Sequence, residues 1–177
     1  MNKILTSAIV LLMTIAVSAQ QNVTTFMGIP MKGSASIMRN ALVKKGFVLN
    51  KDYTLMGCVD GDSCIVTIDT EKGKVTGITA VNIYGTNNVR EAIDKYETLL
   101  DFYKEDCNYT EYEINSYVQA ADRETYKRYI EKEIYYAEFF QVCEPQEYTR
   151  KLSFKLTAKY GDYRIVRCYE NSKGLPL

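Results

Sequence analysis

The 177-residue sequence contains no histidine and no tryptophan. Without histidine, neither a Ser-His-Asp triad nor a Cys-His pair can form, which excludes the hydrolases built on them. Imidazole is also the commonest side-chain ligand of metals. None of the five cysteines lies in a CxxC pair of the kind that holds zinc. We therefore expect neither a bound metal nor a cofactor.

An excess of charge is absent as well, because 22 lysine and arginine residues balance 22 aspartate and glutamate residues. A neutral chain without a basic tract is not expected to bind nucleic acid or an anionic membrane. Hydrophobic residues make up 46% of the chain, which is too many for a disordered segment. The composition predicts a folded domain with a real core.

The N-terminal residues have the pattern of a secretory signal peptide. A basic start precedes an apolar run over residues 4–17, and small residues stand just before a cleavage site after Ala19 or Gln20. The run is shorter than the roughly 20 apolar residues of a membrane anchor, and it lacks the terminal cysteine of a bacterial lipoprotein. We expect residues 1–19 to be removed and residues 20–177 to form a single exported domain, periplasmic or secreted, without a transmembrane anchor.

The stretch FMGIPMKGSASIMRNALVKKGF, residues 26–47, poses a choice between a phosphate-binding loop and a helix. Its glycine spacing is that of a phosphate loop, but the lysine that reaches the phosphates is missing. A helix explains more residues, because Ser34 suits an N-cap and Gly46 followed by Phe47 is typical of a Schellman ending. We predict a helix with an apolar side made of Ile37, Met38, Ala41 and Leu42.

Three antiparallel strands are predicted next, over residues 53–58, 64–69 and 75–84, with an Asp-Gly hairpin turn between the first two. Alternation along the third strand assigns its residues to two faces. Asn82 belongs to the wetter face, whereas the other face carries Val75, Thr79, Val81 and Ile83.

The clearest helix begins at Asn88 and extends to Lys104. Asn88 and Glu91 resemble a capping box. A continuous apolar stripe predicts that this helix faces the core, and it consists of Val89, Ala92, Ile93, Tyr96, Leu99, Leu100 and Tyr103.

Residues 107–142 are harder to assign. Asp122 can begin a helix that reaches Ile130, and the stretch 134–142 fits both a helical and a strand period, so periodicity alone does not decide between them. Farther along the chain, residues 152–158 alternate strictly between apolar and polar side chains, which is typical of a half-buried antiparallel strand. A Gly-Asp turn then leads into a last strand.

Together these elements predict an α+β fold in the order α-βββ-α-(α)-βββ. We expect an antiparallel sheet of about six strands in two three-stranded meanders, with two to three helices packed on one face. Residues 26–85 and 87–171 then form an internal pseudo-repeat of one helix and three strands, although the two halves share no residue-level period.

Two motifs resemble those of a known group of small exported proteins from gut and oral Bacteroidetes. The opening over residues 26–47 is similar to their F-x-G-I-P-x-x-G-x-x-x-x-M-x-x-x-L-x-x-K-G-F. The ending from Tyr160 to Asn171 is similar to their Y-G-x-Y-x-I…Y-x-N. The resemblance implies export and a strand over residues 137–141, and it brings no catalytic residues. The layout also looks like tandem helix-plus-antiparallel-sheet modules such as the beta-lactamase inhibitory protein fold, by analogy.

Tyrosine is the residue type in excess, with fifteen in the chain and thirteen from Tyr96 onward. Its ring buries area while its hydroxyl stays polar, which suits recognition of proteins and sugars, although tyrosine is also favoured in strands. We predict a binding face made of Tyr109, Tyr112 and Tyr117. The chain is thus interpreted as an exported, non-catalytic binding or inhibitor-like module with a protein or glycan ligand.

The alternative is a small hydrolase that acts on a surface or extracellular glycan. Glycoside hydrolysis needs only two carboxyl groups at a set distance, so the absence of histidine does not exclude it. The candidate pairs are Asp60 with Asp62 and Glu111 with Glu113.

An odd number of cysteines leaves at least one thiol without an intramolecular partner. We predict a disulfide between Cys58 and Cys64. With a three-residue hairpin loop, these two residues lie directly opposite each other at a distance that a disulfide tolerates. A two-residue loop at Asp60-Gly61 would instead place Cys58 opposite Ser63, and the disulfide would require distortion.

Overall fold

Ten strands and two helices make up the part of the protein that the computed structural model describes, which is residues 24–84, 88–115, 128, 130, 132, 135–142 and 150–171. The helices are α1 (Ala35–Lys44) and α2 (Val89–Glu105). The strands are β1 (Thr25–Phe26), β2 (Ile29–Pro30), β3 (Val48–Leu49), β4 (Leu55–Val59), β5 (Asp62–Glu71), β6 (Lys74–Tyr84), β7 (Tyr109–Asn115), β8 (Tyr136–Gln141), β9 (Arg150–Lys159) and β10 (Asp162–Asn171).

Eight of these strands form one antiparallel sheet in the order β3-β4-β5-β6-β10-β9-β8-β7, and β1 and β2 form a separate hairpin. Each helix is followed by a four-stranded meander, and the two meanders join through β6 and β10. The predicted α+β class and antiparallel sheet are confirmed. The prediction of six strands in two three-stranded meanders is wrong, because the large sheet has eight strands within the described residues.

The two strands of the large sheet that sequence reasoning missed have weak patterns, and it also missed the short hairpin of β1 and β2. β3 has only two residues, and alternation along β7 is broken by a bulge at Tyr112, which has no partner in the register with β8. The ambiguous stretch 134–142 contains strand β8, which is paired on both sides by β7 and β9. The helix predicted from Asp122 to Ile130 lies almost entirely outside the described residues.

The ends of α1 are those that the sequence predicts. The Ser34 hydroxyl accepts a hydrogen bond from the backbone N–H of Ile37. Gly46 has a φ of 95°, and the backbone N–H of Phe47 donates to the carbonyl of Leu42 at 3.1 Å, which completes the Schellman motif. The prediction that Ile37 belongs to the apolar side of this helix is wrong, since this residue is 64% exposed. The helix contacts the sheet through its Met38 and Leu42 side, and Ile37 is rotated about 100° away from Met38.

In α2 the apolar stripe is confirmed, because all seven predicted residues are buried. The predicted capping box is wrong, since the Asn88 side chain makes no capping hydrogen bond. Neither of the two described helices is long and apolar enough to cross a lipid bilayer.

Both helices cover the same face of the large sheet, which we call the inner face; the opposite one is the outer face. The evidence is a single core cluster that contains residues of both helices and alternate residues of the strands between them. Its members include Met38, Leu42, Val66, Ile78, Ile93, Tyr96, Leu152, Phe154, Leu156 and Ile165.

The faces of β6 differ from those predicted. The register between β5 and β6 shifts after Asp69, so β6 carries an extra residue near its start. Val75 is buried in the core, but beyond the shift the core positions are Ile78, Ala80 and Asn82. Alternation therefore changes phase at the bulge, which moves Thr79, Val81 and Ile83 to the outer face.

Candidate functional site

The three tyrosines predicted as a binding face do not share one. Tyr109 lies on the inner side of β7, and its ring centroid is 4.9 Å from that of Tyr103 in α2. Tyr112 is the bulged residue, and its ring packs on Phe140 of β8, 5.1 Å away on the outer side. Tyr117 lies outside the described residues. The structure therefore places Tyr109 and Tyr112 on different sides of the sheet.

The first predicted carboxylate pair is engaged with two different cations. Asp60, in the turn between β4 and β5, forms an ion pair with Arg167. Asp62 is 3.2 Å from the Lys95 ammonium of α2. Because each acid is neutralised by its own partner, they do not present two free carboxylates to one ligand.

The second predicted carboxylate pair is divided by the bulge in β7. Glu111 lies opposite Phe139 of β8, whereas Glu113 lies opposite Glu138. Glu138 is buried; it accepts a hydrogen bond from the Tyr136 hydroxyl and lies 2.8 Å from the Lys151 ammonium. Sequence reasoning missed the facing of Glu113 and Glu138, which arises only when β7 and β8 pair.

The predicted disulfide between Cys58 and Cys64 is corrected by the register of the first hairpin. Val59 pairs with Asp62, so the loop has two residues and Cys58 lies opposite Ser63. Both thiols are free, with Cys58 exposed and Cys64 buried. Neighbouring strand residues point to opposite faces, so the two sulfur atoms lie on different sides of the sheet.

A buried polar network ties the same hairpin to the centre of the sheet. Arg167 is 1% exposed; it contacts the Asp60 carboxylate and donates to the Asn82 side-chain oxygen at 2.9 Å. The Tyr103 hydroxyl lies 3.2 Å from that of Tyr169 and donates to Asp60 at 3.4 Å. Burial is the main cause that raises the pKa of Tyr103 well above its ordinary value, and the neighbouring Tyr169 and Asp60 raise it further. The network is enclosed between α2 and the sheet, which favours a structural role.

The outer face carries a row of apolar side chains that the sequence analysis did not predict. Five apolar side chains are consecutive cross-strand neighbours from β3 to β10, since the registers pair each with the next. We call this set the apolar row, and it consists of Val48, Met56, Ile65, Val81 and Val166.

The β3 end of the apolar row forms a shallow depression of about 530 Å³. Val48 and Met56 are 65% and 53% exposed there. No residue lining the depression in the described part of the chain carries a charge, and Ile83 and Cys58 extend it beyond the row. Clusters of exposed apolar side chains are one of the features by which interaction sites are recognised.

Two local features align the residues of the apolar row, the length of the turn after β4 and the bulge in β6. A two-residue turn after β4 aligns Met56 with Ile65, and the bulge in β6 aligns Ile65 with Val81. Choosing the two-residue turn, which Asp-Gly favours, reveals the first pairing from sequence. The second requires the bulge, for which alternation gives no warning.

No group of three or more cysteine, aspartate or glutamate side chains arranged to hold a metal occurs among the described residues. Comparison of the chain with protein-family models, with curated proteins and with solved structures gives no match, so its function is inferred from its own side chains.

Proposed function

We propose that the protein is an exported, non-catalytic binding module, inhibitor-like in that it acts by covering part of a partner, and that the apolar row is its contact surface. The single observation that carries this is the depression at the β3 end of the row, which the exposed side chains of Val48, Met56 and Ile83 line and in which no described lining residue is charged. Burying such a surface against a partner is favourable by about 25 cal/mol for each Å² of apolar area.

A protein is the partner that this surface favours. The described residues that line the depression are mainly apolar, together with Ser63 and two cysteines, and none of them is aromatic. Recognition of a sugar instead favours an aromatic platform such as tyrosine. Among the described residues, the largely exposed tyrosines are not members of the row: Tyr53 precedes β4, Tyr112 is in β7 and Tyr160 is in the turn after β9. An apolar centre with a polar rim is the usual anatomy of a protein interface.

The outer face supplies such a rim on one side. Beyond Val166, the same cross-strand row continues with Lys155 of β9 and Tyr136 of β8. A partner that buries the apolar row would therefore meet a cation and a phenol at its β8 end. The predicted layout, which looks like tandem helix-plus-sheet inhibitory modules, supports the proposal by analogy only.

Selection of random peptides displayed on phage tests the contact surface directly, because it requires no identified partner. Peptides selected on the wild-type protein should be apolar and should bind Met56→Lys at least about tenfold more weakly, which corresponds to about 1.4 kcal/mol. Ile37→Lys is the matched control, because Ile37 is also an exposed aliphatic residue but lies on α1, on the other side of the sheet. Peptides that bind both variants as they bind the wild type would contradict the proposal.

The alternative function, a carboxylate-dependent glycan hydrolase, is favoured by one observation, the direct facing of Glu113 and Glu138 on the outer side of β7 and β8. It requires Glu138 to act while it is paired with the Lys151 ammonium. Two facing carboxyl groups are the minimum machinery of a glycosidase. Release of reducing ends from soluble bacterial glycans by the wild type but not by Glu138→Gln would support this alternative and contradict a non-catalytic role.

Export is part of the proposal and depends on residues 1–19, which lie outside the described residues. Intact-mass measurement of protein recovered from its native host should show an N-terminus at Gln20 or Gln21. Retention of residues 1–19 would overturn the proposed periplasmic or secreted location.

A further inference from the structure

A polar pocket lies on the inner side of the sheet, away from the apolar row. It is enclosed by β1, the turn that follows α2, and the ends of β8 and β9. Its volume is about 280 Å³, at the lower limit of the usual range for small-molecule sites. Its polar lining consists of Thr25, Asp106, Asn108, Tyr109, Gln141 and Arg150.

Arg150 is the unusual member of this lining. It is 7% exposed, and its Nε and Nη2 atoms are buried without a hydrogen-bond acceptor among the described residues. An arginine side chain cannot become neutral in a protein, and leaving two of its buried N–H groups unpaired is unfavourable. The arrangement is therefore incomplete without an acceptor.

The acid in the pocket wall does not supply that acceptor. Asp106 Oδ1 accepts hydrogen bonds from the backbone N–H and the side-chain Nδ2 of Asn108 at 2.9 and 2.7 Å. No ion pair joins Asp106 to Arg150 in the described part of the chain. Together the two residues give the lining one negative and one positive charge, which disfavours a dianionic ligand and admits a monoanion.

The amide of Gln141 is held in a fixed orientation and makes the Tyr109 hydroxyl an acceptor. Its Oε1 accepts from the backbone N–H of Thr25 at 2.9 Å, and its Nε2 donates to the Thr25 carbonyl at 3.0 Å. The same Nε2 donates to the Tyr109 hydroxyl at 3.2 Å. Because Tyr109 accepts in that hydrogen bond, its own hydroxyl hydrogen is available to a ligand.

We propose that this pocket binds a small monocarboxylate through Arg150, with the Tyr109 hydroxyl as a second donor. The unpartnered Nε and Nη2 are the adjacent nitrogens of one guanidinium edge, whose parallel N–H bonds match the two oxygens of a carboxylate. A free small acid and the C-terminus of a peptide share this chemistry. The site is separate from the apolar row, so it adds a small-molecule function to the proposed binding of a protein.

Titration of the ¹⁵N-labelled full chain with sodium acetate tests the site directly, with acetamide as the neutral ligand of the same shape and sodium chloride at matched ionic strength. Acetate should shift the Arg150 Nε–Hε resonance in a saturable manner, whereas acetamide and chloride should not. Arg150→Lys identifies that resonance by its loss. N-acetylalanine, which resembles a peptide C-terminus, is then titrated in place of acetate. If the natural ligand is a peptide C-terminus, N-acetylalanine should bind at least as tightly as acetate; if it is a free small acid, N-acetylalanine should bind more weakly.

Tyr109→Phe keeps the ring contact with Tyr103 and removes only the hydroxyl, so it should retain the fold and bind acetate about five- to tenfold more weakly. An Arg150 resonance that responds equally to acetate and chloride would overturn the proposal. Saturable binding of inorganic phosphate with no response to acetate would overturn the assignment to carboxylates. If Arg150→Lys fails to fold, Tyr109→Phe decides the question by itself, because acetate binding that is unchanged in this variant would overturn the proposal.

Discussion

Removal of the Asp60 carboxylate should destabilise the protein far more than removal of the Asp62 carboxylate two residues away. Arg167 is fully buried between α2 and the sheet, and Asp60 is its ion-pair partner in the described chain. Asp60 also occupies a turn position with a φ of 52°. Asparagine tolerates that backbone conformation, so Asp60→Asn tests the charge rather than the turn.

The magnitude follows from the exposure of each pair. Breaking a buried ion pair from one side costs about 3 to 5 kcal/mol. The Asp60 side chain is 36% exposed, so water compensates in part, and we expect Asp60→Asn to lower the free energy of unfolding by about 2 to 3 kcal/mol. Asp62 and Lys95 form a more exposed pair at 3.2 Å, so Asp62→Asn should cost less than about 1 kcal/mol.

Urea unfolding followed by far-ultraviolet circular dichroism at pH 7 measures both variants on the same scale. The double variant Asp60→Asn/Arg167→Met removes both charges and should lose less than the sum of the two single losses, because no uncompensated cation is left in the core. The reasoning is refuted if Asp60→Asn and Asp62→Asn differ by less than about 0.5 kcal/mol.

Three further predictions concern packing and pH. Leu42→Ala should lower the free energy of unfolding by about 2 to 4 kcal/mol and Ile37→Ala by less than about 0.5 kcal/mol in the same urea assay; equal losses would mean that the faces of α1 are wrong. An added Cβ at Gly57 would overlap the Phe47 ring, so Gly57→Ala should cost about 1 to 3 kcal/mol. Phe47→Leu in the same chain should recover part of that loss, and strict additivity of the two changes would contradict the contact. Burial raises the pKa of Cys64 from 9.0 to about 11, so the stability that the neutral thiol contributes is present below pH 9 and is lost as the pH rises toward 11. The free energy of unfolding of Cys64→Ala should therefore decline less over that interval than that of the wild type, and parallel declines would show that this thiol is not responsible.

The helices illustrate what local sequence can decide. The N-cap at Ser34 and the glycine ending at Gly46 act within a few residues, and the structure contains both. The apolar stripe of α2 has a helical period that needs no distant partner to be recognised. The capping box predicted at Asn88 is not formed, because a capping hydrogen bond depends on side-chain geometry that the residue pattern does not specify.

The candidate sites depend on pairings between distant strands. Tyr109 is predicted as a binding residue and does line the polar pocket, but Arg150 beside it comes from another strand and gives no signal in the sequence. The facing of Glu113 with Glu138 likewise exists only because β7 lies at the edge beside β8.

The sequence by itself determined the class of the fold, the two helices and the apolar faces of α2 and β9, because these follow from local periodicity and turn chemistry. Only the tertiary structure decided which side of the sheet each residue of β4, β5 and β6 occupies. Side chains alternate with a period of two, so one residue more or less in a loop or a bulge transfers every following side chain to the opposite face. A two-residue turn separated Cys58 from Cys64, and one bulge moved Val81 out of the core to create the apolar row.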